Sequence, residues 1–290
     1  MNFEIVTDSA CNLTEEMIND FGLHILPLEF MVDNQRYQSY LKGHHTDLQQ
    51  FYTMMREGKM ITTSLPNLAY TEMLLRSLLV EGKDVLYLGF SSALSGTFEA
   101  TELICKELQA DFPERTIFAV ETLAASGGEG LLVYHAVHQM KAGKSLDEVA
   151  TWVKDNRLKL AHWFTVDDLM FLLRGGRVSK VSAYAGTVLN IKPVLHVDNE
   201  GRLIPMEKVR GRKKSLQALV KHLAEDGLKP LDNQVIFITH GDCVEDAEYV
   251  AKLIREKYSV ADTVINYVDP VIGAHSGPGT LALFFFADHR

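Results

Sequence analysis

Cysteine is nearly missing from this sequence. Cys11, Cys105 and Cys243 are the only three among 290 residues, and no two form a Cys-x-x-Cys pair. An odd, scattered set builds no disulfide framework, so reduced thiols in a cytoplasmic protein are expected. Long apolar runs are missing as well. The longest, LALFFFA at 281–287, is far shorter than the roughly 20 residues a membrane-crossing helix needs. The amino terminus, MNFEIVTDSACNL, has neither the basic start nor the apolar centre of a signal peptide. Positive charge is in deficit, with 29 basic residues against 38 acidic ones and a net charge of −9. A general nucleic-acid binder needs a net basic face to displace counterions, so that class is excluded.

Nucleotide and metal signatures are also lacking. No Gly-x-Gly-x-x-Gly occurs, and AGKS at 142–145 has His138 where a phosphate loop needs its first glycine. His44 and His45 have no further ligand residues at zinc spacing, so no metal site is expected. No internal repeat, low-complexity tract or long linker breaks the chain.

What is present is core. Hydrophobic residues make up 47% of a chain too long for one typical core, which favours two domains. Strand and helix patterns alternate through the first half. FEIVTDS reads as a strand, then NLTEEMINDFG as a helix with Thr14 as N-cap and Gly22 as stop. LHILPLEFMV reads as a strand, 47–56 as a helix, and TTSLPNLAYTEMLLRSLLVEG as a helix with Pro66 near its first turn. The units around VLYLGFSSALSGTFEA and TIFAVET follow. Strands separated by helices of this length predict a parallel sheet with right-handed crossovers. The second half contains a hairpin pattern turning at Asn199-Glu200-Gly201, then further strands and helices. The expected fold is α/β: an N-terminal parallel-sheet domain over 1–158 and a C-terminal α+β domain over 159–290, with a ligand cleft between them.

The hydroxyl-rich corners carry the functional signal. Ser9, the turn 91–97 and Ser126-Gly127-Gly128 each follow a predicted strand, where open α/β sheets bind ligands. A helix N-terminus there favours a carboxylate or phosphate, and Gly96 admits close backbone approach. Ser and Thr also cap helices everywhere, so one such loop alone decides nothing. A nucleophile reading competes. Gly89-Phe90-Ser91-Ser92-Ala93 approximates the G-x-S-x-G elbow, with Ala93 as a departure, His240 or His275 as base and Asp242 or Asp269 as orienter. A local basic run, Lys208, Arg210, Arg212, Lys213 and Lys214, is either a solvated face or a steering surface for an acidic partner.

Eight motifs in order, TDSACNL, TTSLP, FSSALSGTF, SGGEGLL, TVDDLMFLLRGGRVS, LNIKPVLHVDNEGRL, KVRGRKKS and PVIGAHSGPGTLALFF, resemble the DegV family of bacterial fatty-acid-binding proteins. Each motif alone is weak, but together they run from residue 7 to 285. The resemblance implies a non-catalytic carrier enclosing a long acyl chain between two domains. It implies that Thr63 and Ser95 grip the carboxylate, assisted by the Gly96 amide and with His275 nearby. Ser64, Thr97 and Ser126 are further head-group candidates. It also implies presentation of the acid to an ATP-dependent fatty acid kinase subunit, which converts it to an acyl phosphate. The basic run at 208–214 then becomes the docking face, and no cofactor or metal is called for. Glu121-Thr122 stand where the family has Asp-Ser, and Ala93 where it commonly has Gly. Burying about 14 methylenes at ~0.8 kcal/mol each gives roughly 11 kcal/mol of gross driving force, which suits such a ligand. The alternatives are a serine hydrolase acting on acyl esters through Ser91, and an interaction module that engages partners only when lipid-loaded.

Overall fold

The computed structural model describes residues 3–43, 46–179 and 190–290; His44 and His45 lie outside them. The N-terminal half builds a four-stranded sheet in the order β2-β1-β6-β7. Its strands are β1 (Phe3–Asp8), β2 (His24–Leu26), β6 (Asp84–Gly89) and β7 (Ile117–Glu121), and every pairing is parallel. Helix α1 (Glu15–Phe21) links β1 to β2, with Thr14 Oγ1 accepting from the Met17 amide and Gly22 at φ 64. Both of its ends match the caps read from sequence. Helix α3 (Leu68–Val80) leads into β6, and α4 (Thr97–Asp111) connects β6 to β7. Then come α5 (Gly127–Lys141) and α6 (Leu146–Asn156), the latter opened by a Ser145/Glu148 capping box.

Two expectations are corrected here. Residues 23–32 form two strands in different sheets, β2 and β3 (Glu29–Val32), because Pro27 has no N–H for a continuing ladder. The stretch at 61–64 is also a strand, β5 (Ile61–Ser64), and α3 starts only at Leu68 behind an Asn67 cap. Pro66 precedes that cap and holds Leu65 extended instead of entering the first turn. Strand β4 (Gln35–Gln38) completes a small antiparallel sheet, β4-β3-β5, through a tight turn whose Asp33 and Asn34 both have positive φ. Helix α2 (Leu48–Arg56) follows this hairpin, capped by Asp47.

The C-terminal half forms a six-stranded mixed sheet in the order β10-β9-β8-β13-β11-β12. These are β8 (Leu160–Thr165), β9 (Ile191–Val197), β10 (Leu203–Arg210), β11 (Val235–His240), β12 (Asp262–Tyr267) and β13 (Leu281–Phe286). Helix α7 (Met170–Arg174) follows β8; α8 (Arg212–Asp226), α9 (Val244–Lys257) and α10 (Pro270–Ser276) complete the described elements. The β9–β10 hairpin turns at Gly201, φ 77, as its sequence predicts. This parallel sheet beside a separate sheet-plus-helix region is the expected α/β class.

One buried cluster joins the two sheets. Leu86, Leu88 and Val120 of the parallel sheet share it with Leu131 and Ala136 of α5 and with Phe164, Leu195 and Phe284 of the mixed sheet. The Gly127-Gly128 pair serves this packing. A Cβ on Gly128 would stand 2.2 Å from His162 Nε2, and one on Gly127 would stand 2.9 Å from Phe284 Cδ2. These glycines let α5 approach β8 and β13, a packing role that the reading of this loop as a ligand corner did not anticipate. Among the described residues no helix is long and apolar enough to cross a membrane, and no His, Cys, Asp and Glu cluster fits a metal.

Candidate functional site

The carboxyl ends of β1, β6 and β7 emerge on one edge because the three strands run parallel. Asp8 ties that edge together. Its carboxyl accepts from the amides of Ala10 (3.0 Å) and Phe90 (3.1 Å) and from the Tyr87 hydroxyl (3.4 Å). Gly89 makes room for the returning Tyr87 ring, since a Cβ there would lie 2.4 Å from the phenol oxygen. The turn carrying the hydroxyls is therefore pinned at its first residue, Phe90.

Burial pushes the Asp8 carboxyl up to about 7 against the three hydrogen bonds it accepts, with Asp269 adding to the rise. The native state keeps this proton up to about pH 7, while the unfolded chain releases it near the model-peptide value of 3.8. Its contribution to stability is complete below that value and is lost as pH rises through 7. Asp8→Asn removes the titration. The urea midpoint of the variant relative to wild type should therefore climb between pH 4 and 8, and a constant difference would show that Asp8 titrates normally.

Between this edge and the mixed sheet lies a cavity of about 440 Å³, within the roughly 300–1,000 Å³ usual for small-molecule sites. Its wall is mostly apolar, with Phe90, Leu94, Phe164, Leu203, Ala282 and Phe284 among its residues. Polar groups gather where β5, the 91–97 turn and α10 meet. Thr63, Ser64, Ser95, Gly96, Ser126 and His275, each singled out from sequence, all line this cavity.

Thr63 Oγ1 lies 2.8 Å from His275 Nε2, joining residues 212 positions apart. His275 Nδ1 faces Arg177 Nη1 at 3.4 Å. A guanidinium only donates, so Nδ1 accepts and the neutral ring carries its proton on Nε2. Nε2–H then donates to Thr63 Oγ1, which leaves the threonine hydrogen free for a ligand. Burial, with Arg177 assisting, lowers His275 to about 4, so the ring is neutral at physiological pH. Ser95 lines the same cavity. Its Oγ accepts from the Thr97 amide at 3.3 Å and lies 2.9 Å from Thr97 Oγ1. When Thr97 donates that second bond as well, the Ser95 hydrogen is also free. Gly96 occupies the N-cap of α4, and no side chain caps this helix, unlike α1, α2, α3, α6 and α10.

The remaining candidates fall elsewhere. Thr97 is buried behind Ser95, and the Ser64 hydroxyl donates to Glu29 Oε2 at 3.4 Å. Ser126 is at the cavity wall, but its hydroxyl donates to Asn12 Oδ1 (2.7 Å) and sits 2.8 Å from Thr239 Oγ1. Ser91 is fully buried and donates to the Gly201 carbonyl at 3.0 Å. Among the described residues neither His240 nor His275 bonds it: His240 Nδ1 accepts from the Cys243 amide at 3.3 Å. Asp269 caps α10, and Asp242 pairs with Arg56. The nucleophile–base–orienter chain considered from sequence is thus not assembled. In the basic run, Lys208, Arg210, Lys213 and Lys214 are exposed. Arg212 is instead half-buried and held by Asp246 (2.8 Å) and Asp167 (3.6 Å).

Arg177 is the residue that sequence reading passed over. It follows Gly175 and Gly176, donates to the Leu94 carbonyl (3.1 Å) and has no carboxylate partner among the described residues. The Gly-Gly break was a visible signal, because Gly176 at φ 74 is what turns the chain after α7.

An apolar chamber with neutral donors and one guanidinium at its polar end can take a ligand with a long apolar body and an acidic head. The comparisons with known proteins agree in class. The chain belongs to the DegV family, whose description is that of an uncharacterised protein; residues 2–288 match its model. A DegV domain-containing protein of Clostridium perfringens is 45% identical over 288 residues, covering 99% of this chain and 98% of the relative. Among solved structures, a DegV family protein from Thermus thermophilus described as binding fatty acid superposes with TM-score 0.87 at 28% identity, covering 99% and 100% of the two chains. A fatty acid binding DegV family protein from Streptococcus agalactiae gives 0.84 at 30% identity, with complete coverage of both.

Proposed function

We propose that this protein binds a long-chain fatty acid without transforming it. The acyl chain fills the 440 Å³ cavity, and the carboxylate is held by the Thr63 and Ser95 hydroxyls and the Gly96 amide, with His275 fixing Thr63. The observation that carries this reading is the convergence of Thr63, Ser95, Gly96, Arg177 and His275 on the lining of a mostly apolar chamber. A buried carboxylate is costly unless hydrogen-bonded, and charge-assisted bonds from such donors offset that cost. The fatty acids bound by the solved relatives support the same ligand class. Organic extraction of purified protein followed by mass spectrometry tests it. A stoichiometric fatty acid is expected, whereas an empty protein that also refuses added acids would remove the function.

The loaded protein then presents its acid to an ATP-dependent kinase subunit, which forms the acyl phosphate. Lys208 and Arg210 on the edge strand β10, with Lys213 and Lys214 at the start of α8, supply the docking charge. Lys208→Glu with Arg210→Glu should slow turnover by that partner by about tenfold or more at low salt while leaving acid affinity unchanged. Parallel loss of both would make the run structural.

A further inference from the structure

A second, smaller cavity of about 310 Å³ adjoins the acyl chamber. The two share Thr63, Arg177 and His275, so the wall between them is the polar end already described. Lys59 and Arg174 add further charge to the outer cavity, and among the described residues no Asp or Glu lines it. That bias runs against a chain with 38 acidic residues and 29 basic ones. Lys59 is paired with Asp33 at 2.6 Å. Arg174 has no carboxylate partner among the described residues: its Nε donates to the Met170 carbonyl at 3.3 Å, and its guanidinium lies 4.6 Å from the Phe171 ring centre. Arg177 also lacks one, and burial lowers its affinity for its proton, as expected of a guanidinium without a counter-ion. Arg174 and Arg177 both line this chamber, and neither has a carboxylate partner among the described residues.

We infer that this outer chamber is a phosphate-type oxyanion subsite, contiguous with the head of a bound acyl chain. The inference rests on the fatty-acid reading above and extends it. A carboxylate needs only the inner donors. Two guanidinium groups without carboxylate partners among the described residues suit a group with three terminal oxygens and nearly two negative charges. Because Thr63, Arg177 and His275 line both chambers, one ligand can span them, with its alkyl body inside and its phosphoryl group outside.

The probe is a β-ketophosphonate of the same chain length as a tightly bound fatty acid, a stable stand-in for an acyl phosphate. Affinities of both ligands are measured for wild type and for Lys59→Ala with Arg174→Ala, neither residue being part of the inner head-group site. The ketophosphonate should bind wild type at least as tightly as the acid. The double variant should lose about tenfold or more for the ketophosphonate and less than about twofold for the acid, since charge-assisted contacts are lost from one ligand only. Exclusion of the phosphonate, or equal affinity for it in variant and wild type, overturns the subsite. Failure of the acid itself to bind wild type would instead overturn the fatty-acid reading. Titrating acid-loaded wild type with inorganic phosphate separates the two sources of the group. Saturable binding that the variant loses supports a subsite open to free phosphate. Ketophosphonate discrimination without it supports one that takes only a chain-attached phosphoryl group. Absence of both overturns the proposal.

Discussion

Thr63→Val combined with Ser95→Ala should weaken fatty-acid binding by roughly a hundredfold to ten-thousandfold while leaving the fold intact. Each hydroxyl lost from a charged acceptor removes about 1.5–3 kcal/mol, and every 1.4 kcal/mol is a factor of ten. The fold should survive because both side chains are only partly buried and their mutual framework is modest. Thr63 bonds a single imidazole, and the Ser95 bonds stay within its own turn. Valine keeps the branched shape that β5 needs beside Phe30 in the small antiparallel sheet. Calorimetric or fluorescence titration with a C16 or C18 acid is the measurement, alongside circular dichroism and thermal melting. Unchanged affinity in a folded double variant would remove the head-group assignment and leave the cavity without an oriented ligand.

Ala282→Phe should act at the other end of the chemistry, on length and not on charge. Ala282 is the buried second residue of β13 and lines the chamber together with Phe284. A phenyl ring there occupies the space of three or four methylenes. At about 0.8 kcal/mol for each, the longest acids lose about 2–3 kcal/mol, on the order of a hundredfold. Acids three or four carbons shorter should bind the variant about as well as wild type. A uniform loss across chain lengths would mean that the ring has distorted the sheet instead of shortening the chamber.

The parts of this structure legible in the sequence are those written locally. Thr14 and Gly22 announce both ends of α1, Ser145 with Glu148 announces the start of α6, and Gly201 announces the hairpin tip, each through a few adjacent residues. What the pattern left hidden depends on distant partners. Strand β5 looks like the lead-in to a helix until β3 is present to pair with it. Gly127 and Gly128 look like a ligand loop until Phe284 and His162 press against them. Arg212 looks like one more solvated cation until Asp167 and Asp246 close on it from other elements. The site shows the same division. Thr63, Ser95 and His275 were named through motifs shared with a family, and no periodicity indicates that residues 63 and 275 touch. Arg177 lay inside one of those motifs, after its two glycines, with nothing local to mark it as a site residue.

His275 also bears on how loading is coupled to the medium. A ring already neutral far above its own titration, beside hydroxyls that never titrate and a guanidinium that stays charged, takes up and releases no proton at pH 8 when an ionised carboxylate arrives. The heat of binding at that pH should then be the same in Tris and in HEPES, whose ionisation enthalpies differ widely. Uptake of an acid at that pH would then depend on the concentration of free acid and not on proton exchange at His275.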